Sequence, residues 1–171
     1  MAKQLALERP DLSGDQISVA AAEKSDTALD HALDQRRSIL VETVLSSDKL
    51  LARVDEAKIK LYWIGLIYVV LQSPDLNVAR VAGRVRQGGH GVPEDRIRSR
   101  WYRSLERLPV FASKASAYSI WDNGGWGEAP VLLIEQNGGL VYVSSTAEDL
   151  MEAGQADPAL IEALHKVLAT A

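Results

Sequence analysis

The sequence contains no cysteine, which excludes disulfides and thiolate metal sites. Its three histidines, His31, His90 and His165, are scattered and match no zinc spacing, so no metal site is expected. No apolar run approaches the ~18 residues that a membrane span needs. The longest, around Ile64–Leu71, has the length of a strand. The N-terminus lacks the basic-then-apolar layout of a secretory signal. These absences are compatible with a cytoplasmic location and give no reason to expect a membrane partner. No lysine follows a glycine anywhere in the chain, so the phosphate-loop motif G-x-x-x-x-G-K-S/T is absent. GGHG and GGWG lack the third glycine of a dinucleotide fingerprint, and no Ser-His-Asp constellation can be argued. There is no internal repeat and no low-complexity linker.

What the chain does have is arginine, gathered in one place. Its 171 residues carry a formal net charge of −4, which argues against wholesale nucleic-acid binding. Yet eight arginines (80, 84, 86, 96, 98, 100, 103 and 107) fall in residues 80–107, opposed only by Glu94, Asp95 and Glu106. This segment carries +5 and the remainder −9. A local basic cluster in an acidic protein points to a bound anion.

The hydrophobic pattern predicts a helical start over 2–8, a turn over 10–14, and a long helix from Asp15 to Arg37 with Ile17, Ala20, Ala21, Ala28, Ala32 and Leu33 at helical spacing. "SILVET" (38–43) reads as a short buried strand. Ser46 or Ser47 caps a helix through Leu50, Leu51, Val54 and Ala57. "YWIGLIYVVL" (62–71), β-branched and aromatic, is the strongest strand signal. Ser73 caps the next helix, Pro74 takes its first position, and Gly88-Gly89 ends it. Pro93 opens another helix, to about Leu108. "AYSIWDN" (117–123) reads as a strand, 131–145 as a hairpin turning at Asn137-Gly138, and 158–169 as a last helix. Strands alternating with helices indicate an α/β fold with a parallel sheet covered on both faces. Ligands of such sheets bind beyond the carboxyl ends of the strands. Glu42-Thr43, Gln72-Ser73 and Asp122-Asn123-Gly124 would fall there.

At ~100° per residue, Arg96, Arg100, Arg103 and Arg107 share one stripe, beside the apolar stripe Ile97, Trp101, Leu105 and Leu108. On the preceding helix Val78, Val81 and Val85 form the buried side, and Arg80 and Arg84 lie a turn apart on a more polar one. Gly88-Gly89-His90-Gly91 joins the two helices and can bend sharply. A mobile lid over phosphate would be built this way. The competing reading is a solvated face with i,i+4 pairs. Against it, four cations in one stripe repel each other, and Asp95 and Glu106 are too few to neutralise them.

"SPDLNVARVAGRVRQGGHGVPEDRIRSRWYRSLERLP", followed by a strand ending in "DN", resembles the zeta-toxin-like P-loop kinases, and within them the branch described as predicted ABC-type ATPases. "ALDQRRSILVETVLSSDKLL" is similar to the segment around that family's glutamate-bearing strand, and "IGLIYVVLQSP" to the strand after it. The resemblance runs over roughly residues 1–139. It implies a P-loop NTPase-like parallel sheet with helices on both faces, followed by a C-terminal hairpin and helix. It also implies phosphate transfer from ATP with Mg2+, in zeta toxins to a UDP-amino sugar. By position it assigns Arg84, Arg100 and Arg103 to the lid that neutralises the transferred phosphate. Glu42 would sit at the acceptor end with Thr43, and His90 in the lid turn. Asp122 and Asn123 would lie near the adenosine. An antitoxin protein is the implied macromolecular partner, and a nucleotide or phosphorylated small molecule the implied ligand. Each residue has a plainer alternative. Glu42 could cap the following helix, Asp122-Asn123 could shape the turn before Gly124-Gly125, and His90 could be a surface loop residue.

The departures carry as much as the matches. The phosphate loop is absent, and "MAKQLA" looks like the residues immediately after the family's presumed Asp base, so the first two strands are expected to be missing. Ser99 stands where an arginine is usual, Gly91 where an acid is common, and Gly124 where serine is common. The expectation is a single incomplete domain over 1–171, with the lid over 73–109 and a C-terminal extension over 140–171 without assigned chemistry. ATP and Mg2+ belong to the intact family, and the missing loop argues against their being held by this chain. Negligible kinase activity is expected, with low solubility or dimerisation through an uncovered sheet edge. The alternatives are a non-catalytic nucleotide- or phosphate-binding module, and a protein-interaction module whose Arg stripe meets an acidic partner.

Overall fold

The computed structural model describes residues 7, 11, 13–89, 91–125, 127–154 and 156–171. The chain divides into two compact units, Met1–Glu42 and Thr43–Ala171. The helical start and the first turn expected over 2–14 lie almost wholly outside the described residues.

Helix α1 (Gly14–Asp34) belongs to the first unit. Ser13 and Gln16 form a reciprocal capping box, each side chain bonding the other's backbone N–H. The helix stops three residues before Arg37, and Arg36 turns into the left-handed region at φ 53°. The strand expected at "SILVET" is not formed: residues 37–46 carry no regular structure, and Leu40 is 98% exposed. An apolar run becomes a strand only when a neighbour completes its ladder and covers its side chains.

In the second unit, a 3-10 turn (Asp48–Leu50) leads into α2 (Leu51–Ile59), followed by β1 (Gly65–Val70). Helix α3 (Pro74–Arg86) starts on the Ser73 cap with Pro74 in its first turn. Helix α4 (Glu94–Lys114) runs a turn and a half beyond Leu108, through Pro109. Strand β2 (Ala117–Asp122) precedes the hairpin β3 (Val131–Asn137) and β4 (Leu140–Val143). Its two-residue loop is Gly138-Gly139, one position later than the sequence indicates, with φ of 59° and 82°. Both values need a left-handed backbone, which glycine supplies at no steric cost. Helix α5 (Ser145–Ala153), unforeseen in the sequence, is capped by Ser144 and ended by Gly154 at φ 62°. Helix α6 (Pro158–Leu168) closes the chain on an Asp157 cap.

The fold is α/β: among the described residues four strands lie in the order β1-β2-β3-β4, with β1 and β2 parallel and the hairpin antiparallel. A bulge between Ile120 and Trp121 leaves Leu133 unpaired. The core lies on one face. Tyr68 and Val70 of β1, and Tyr118 and Ile120 of β2, meet Trp101, Leu105 and Leu108 of α4, with Leu160, Leu164 and Val167 of α6 in the same cluster. Trp101 Nε1 donates to the Leu71 carbonyl at 3.2 Å, and the Tyr68 and Ser104 hydroxyls are 2.6 Å apart. On the opposite face Ile67 and Val69 are 76% and 54% exposed. Among the described residues β1 has a neighbour on one side only.

Candidate functional site

The parallel pair positions the site. Where β1 ends, the Val70 carbonyl accepts from Asn123 N at 2.9 Å and the Gln72 carbonyl from Asp157 N at 3.0 Å. Gln72 Nε2 donates to Asp122 Oδ2 at 2.7 Å, and Gly124 N to Asp122 Oδ1 at 2.9 Å. Asp122 is buried, and these bonds compensate its carboxylate for the water it has lost. The carboxyl ends of both parallel strands, the loop after β2 and the approach to α3 are thus tied into one frame.

Over that frame lies a cavity of about 310 Å³, between α3 and the loop after β2. Arg80 and Arg84 line it from α3, Gln87 from the cap that follows, and Asn123, Gly125 and Glu128 from the loop. Arg80 Nη2 donates to the carbonyls of Asn123 and of Gly125, the latter at 3.0 Å. At the end of α3, Gly89 N donates to the Arg84 carbonyl at 2.9 Å. A Cβ on Gly89 would lie 2.6 Å from Arg84 Cγ and 2.8 Å from its carbonyl oxygen. Only glycine lets the Arg84 stem lie against this turn.

Of the sequence-predicted residues, the structure brings Arg84 and Asn123 to one cavity, with Asp122 bonded beneath it. Arg100 and Arg103 are on α4 and do not line it. Arg103 is bonded within its own helix, Nε to the Ser99 carbonyl at 3.2 Å and Nη2 to Ser99 Oγ at 3.3 Å. Thr43 Oγ1 accepts from Leu45 N at 3.1 Å. Glu42 is exposed in the first unit. His90 lies outside the described residues.

The repulsion expected along the arginine stripe is reduced by a partner that sequence proximity does not reveal. Asp48, 59 residues away, accepts from Arg107 Nη2 at 3.1 Å. Beside the stripe, Arg98 pairs with Glu94 at 2.8 Å and Asp75 at 2.6 Å, and the first of these hydrogen bonds does most to hold its guanidinium above the ordinary arginine range. Charge density on α4 therefore does not by itself require an anion. The sequence placed Arg80 one turn before Arg84 and Gln72 beyond a strand end without giving either a role at the site. Glu128 became visible only through the fold.

A second groove, of about 490 Å³, runs along the outer side of α6, past Ile161, His165 and Ala169. Glu162 and Lys166 on its rim pair with each other at 2.6 Å, which holds the Glu162 carboxyl below its usual range. Among the described residues no three His, Asp or Glu side chains form a group able to hold a metal. No helix among them is long and apolar enough to cross a membrane.

A sheet with loops at the carboxyl ends of its parallel strands, and an arginine-bearing helix beside them, makes this an α/β protein whose fold is compatible with that of the P-loop-like zeta toxins. The family model of the zeta toxins matches residues 2–125, and the chain belongs to the zeta toxin family. An uncharacterized protein of Haemophilus influenzae is 28% identical over 83 residues, 48% of this chain and 59% of that protein. The match thus spans less than two thirds of that relative. No solved structure matches the chain. The family has a kinase-like, nucleotide-dependent function that typically uses Mg2+. Asp122 is already committed to Gln72 and Gly124, and the described residues offer no cluster for the ion, so no protein ligand is assigned to it.

Proposed function

We propose that this chain supplies the nucleotide-facing loop and lid of a zeta-toxin-type, ATP-dependent phosphotransferase acting on a small-molecule or sugar-nucleotide acceptor. The observation that carries this reading is the meeting of Arg84 and Asn123 at one cavity beyond the carboxyl ends of β1 and β2. Arg84 offers a fixed positive charge to a phosphate, and a guanidinium is suited to two parallel bonds with phosphate oxygens. Asn123 and the glycine backbone around it face the rest of the nucleotide. Arg100 and Arg103 would join only when α4 and the lid turn close over the bound phosphate. Glu42, with Thr43 and His90, would serve the acceptor, and an antitoxin-type protein would be the macromolecular partner.

Residues 1–171 contain no Gly-Lys pair, so the backbone cradle for the β- and γ-phosphates is not among them. A lid arginine can be worth ~10³–10⁵ in rate, but only on a phosphate already positioned. The 171-residue chain is therefore expected to bind ATP weakly and to turn it over at background rate. Titration with a fluorescent ATP analogue, beside a coupled turnover assay, tests this. Arg84→Ala should weaken binding about tenfold, the loss of one charge-assisted contact. Arg100→Ala with Arg103→Ala should weaken it less, since neither side chain lines the cavity. Turnover far above background, or affinity indifferent to Arg84→Ala, would refute the reading.

A further inference from the structure

The loop after β2 is rich in glycine, at 124, 125 and 127, and a free glycine segment loses more entropy on ordering than any other. It also leaves the sheet, so its carbonyls have no ladder to enter and must find donors elsewhere. One side chain meets that need twice. Arg80, half-buried on α3, places Nη2 between the carbonyls of Asn123 and Gly125. From the other side, Asp122 Oδ1 accepts from Gly124 N, and the Val70 carbonyl accepts from Asn123 N. The loop is therefore held from below by the strands and from above by the Arg80 guanidinium. The residues so held, Asn123 and Gly125, are among those that line the cavity with Arg84, one helical turn from Arg80.

We propose that Arg80 is a positioning residue. It clasps the Asn123–Gly125 backbone to α3, so that the wall of the cavity stands ready at a fixed distance from Arg84 before ligand arrives. The inference rests on the nucleotide reading of this cavity. It assigns Arg80 to the loop and Arg84 to the phosphate, so these two arginines of α3, a turn apart, differ in role. An arginine whose charge is directed at two main-chain carbonyls acts on ligand through geometry, by sparing the loop its ordering cost on binding.

The test compares Arg80→Met, which keeps the length and loses the donors, with Arg80→Lys and Arg84→Ala in the 171-residue chain. Backbone amide exchange is followed first, without nucleotide. Arg80→Met should raise exchange at Asn123 and Gly124 at least tenfold and leave the β1 and β2 interiors unchanged. Arg80→Lys, which retains a donor on a shorter stem, should restore part of the protection, and Arg84→Ala should leave it as in the wild type. Binding of the fluorescent ATP analogue should then weaken about tenfold in Arg80→Met and about threefold in Arg80→Lys. Unaltered exchange at Asn123 and Gly124 in both Arg80 variants would overturn the clasp. Faster exchange with wild-type affinity would overturn the positioning role. A wild-type chain that binds no analogue would overturn the nucleotide reading itself and the inference with it. A wild type that binds while Arg80→Met binds equally well defeats the inference alone.

Discussion

Tyr68 shows how a single residue reports on the core. Its hydroxyl lies against Ser104 Oγ at 2.6 Å on the buried face of the sheet. Burial pushes the phenol up to about 12, and the Ser104 hydrogen bond only partly offsets this. The neutral phenol is thus favoured by folding. Its contribution is complete below the unfolded value near 10 and is lost as pH rises from 10 towards 12. The span corresponds to about 2–3 kcal/mol. Denaturant midpoints measured from pH 9 to 12 should fall in the wild type and fall less in Tyr68→Phe. Parallel curves would contradict the assignment. The alternation of "GLIYVV" made Tyr68 legible as a strand residue. Ser104 was not legible as its partner, because a serine within an arginine-rich helix carries no sign of which side it faces. Arg107 was similarly opaque: its stripe was correct, but Asp48 lies in a remote turn.

At the scale of elements, the signals that worked were those with a local cause. Ser73-Pro74 starts α3, and the glycine pair in the hairpin turns β3 into β4, because caps and tight turns are decided within a few residues. Helix α4 outran its expected end because Pro109 lies in a helix that tertiary packing sustains: Leu108, Phe111 and Ala112 are all buried around it. "SILVET" failed for the converse reason. Helix α5 was overlooked although Ser144 and Gly154 bracket it, the two ends being too close together for a clear helical period. The turn closing α3 yields a sharp expectation. Gly89→Ala would drive a methyl group into the Arg84 carbonyl and stem, and should cost about 1–3 kcal/mol. It should also weaken ATP-analogue binding by displacing Arg84. A variant with the wild-type denaturant midpoint would show that the turn has room to spare.

Across the whole molecule, the class of fold was legible in the alternation of strands and helices, and the polar residues at strand ends pointed to the region where the candidate cavity lies. Ile67 and Val69 of β1 are exposed, and an apolar face beside a strand edge unpaired among the described residues favours self-association. Ile67→Lys with Val69→Lys should therefore shift the chain towards monomer in sedimentation velocity, with fold and nucleotide affinity retained. A wild type that is monomeric at every concentration would remove this expectation. The central claim concerns the cavity between α3 and the loop after β2. It is tested most directly by mapping amide resonances of the labelled chain during titration with ATP. The account predicts saturable shifts at Arg84, Asn123 and Gly125, with Ile161 and His165 on α6 unmoved. Shifts confined to α6, or none at millimolar ATP, would contradict it.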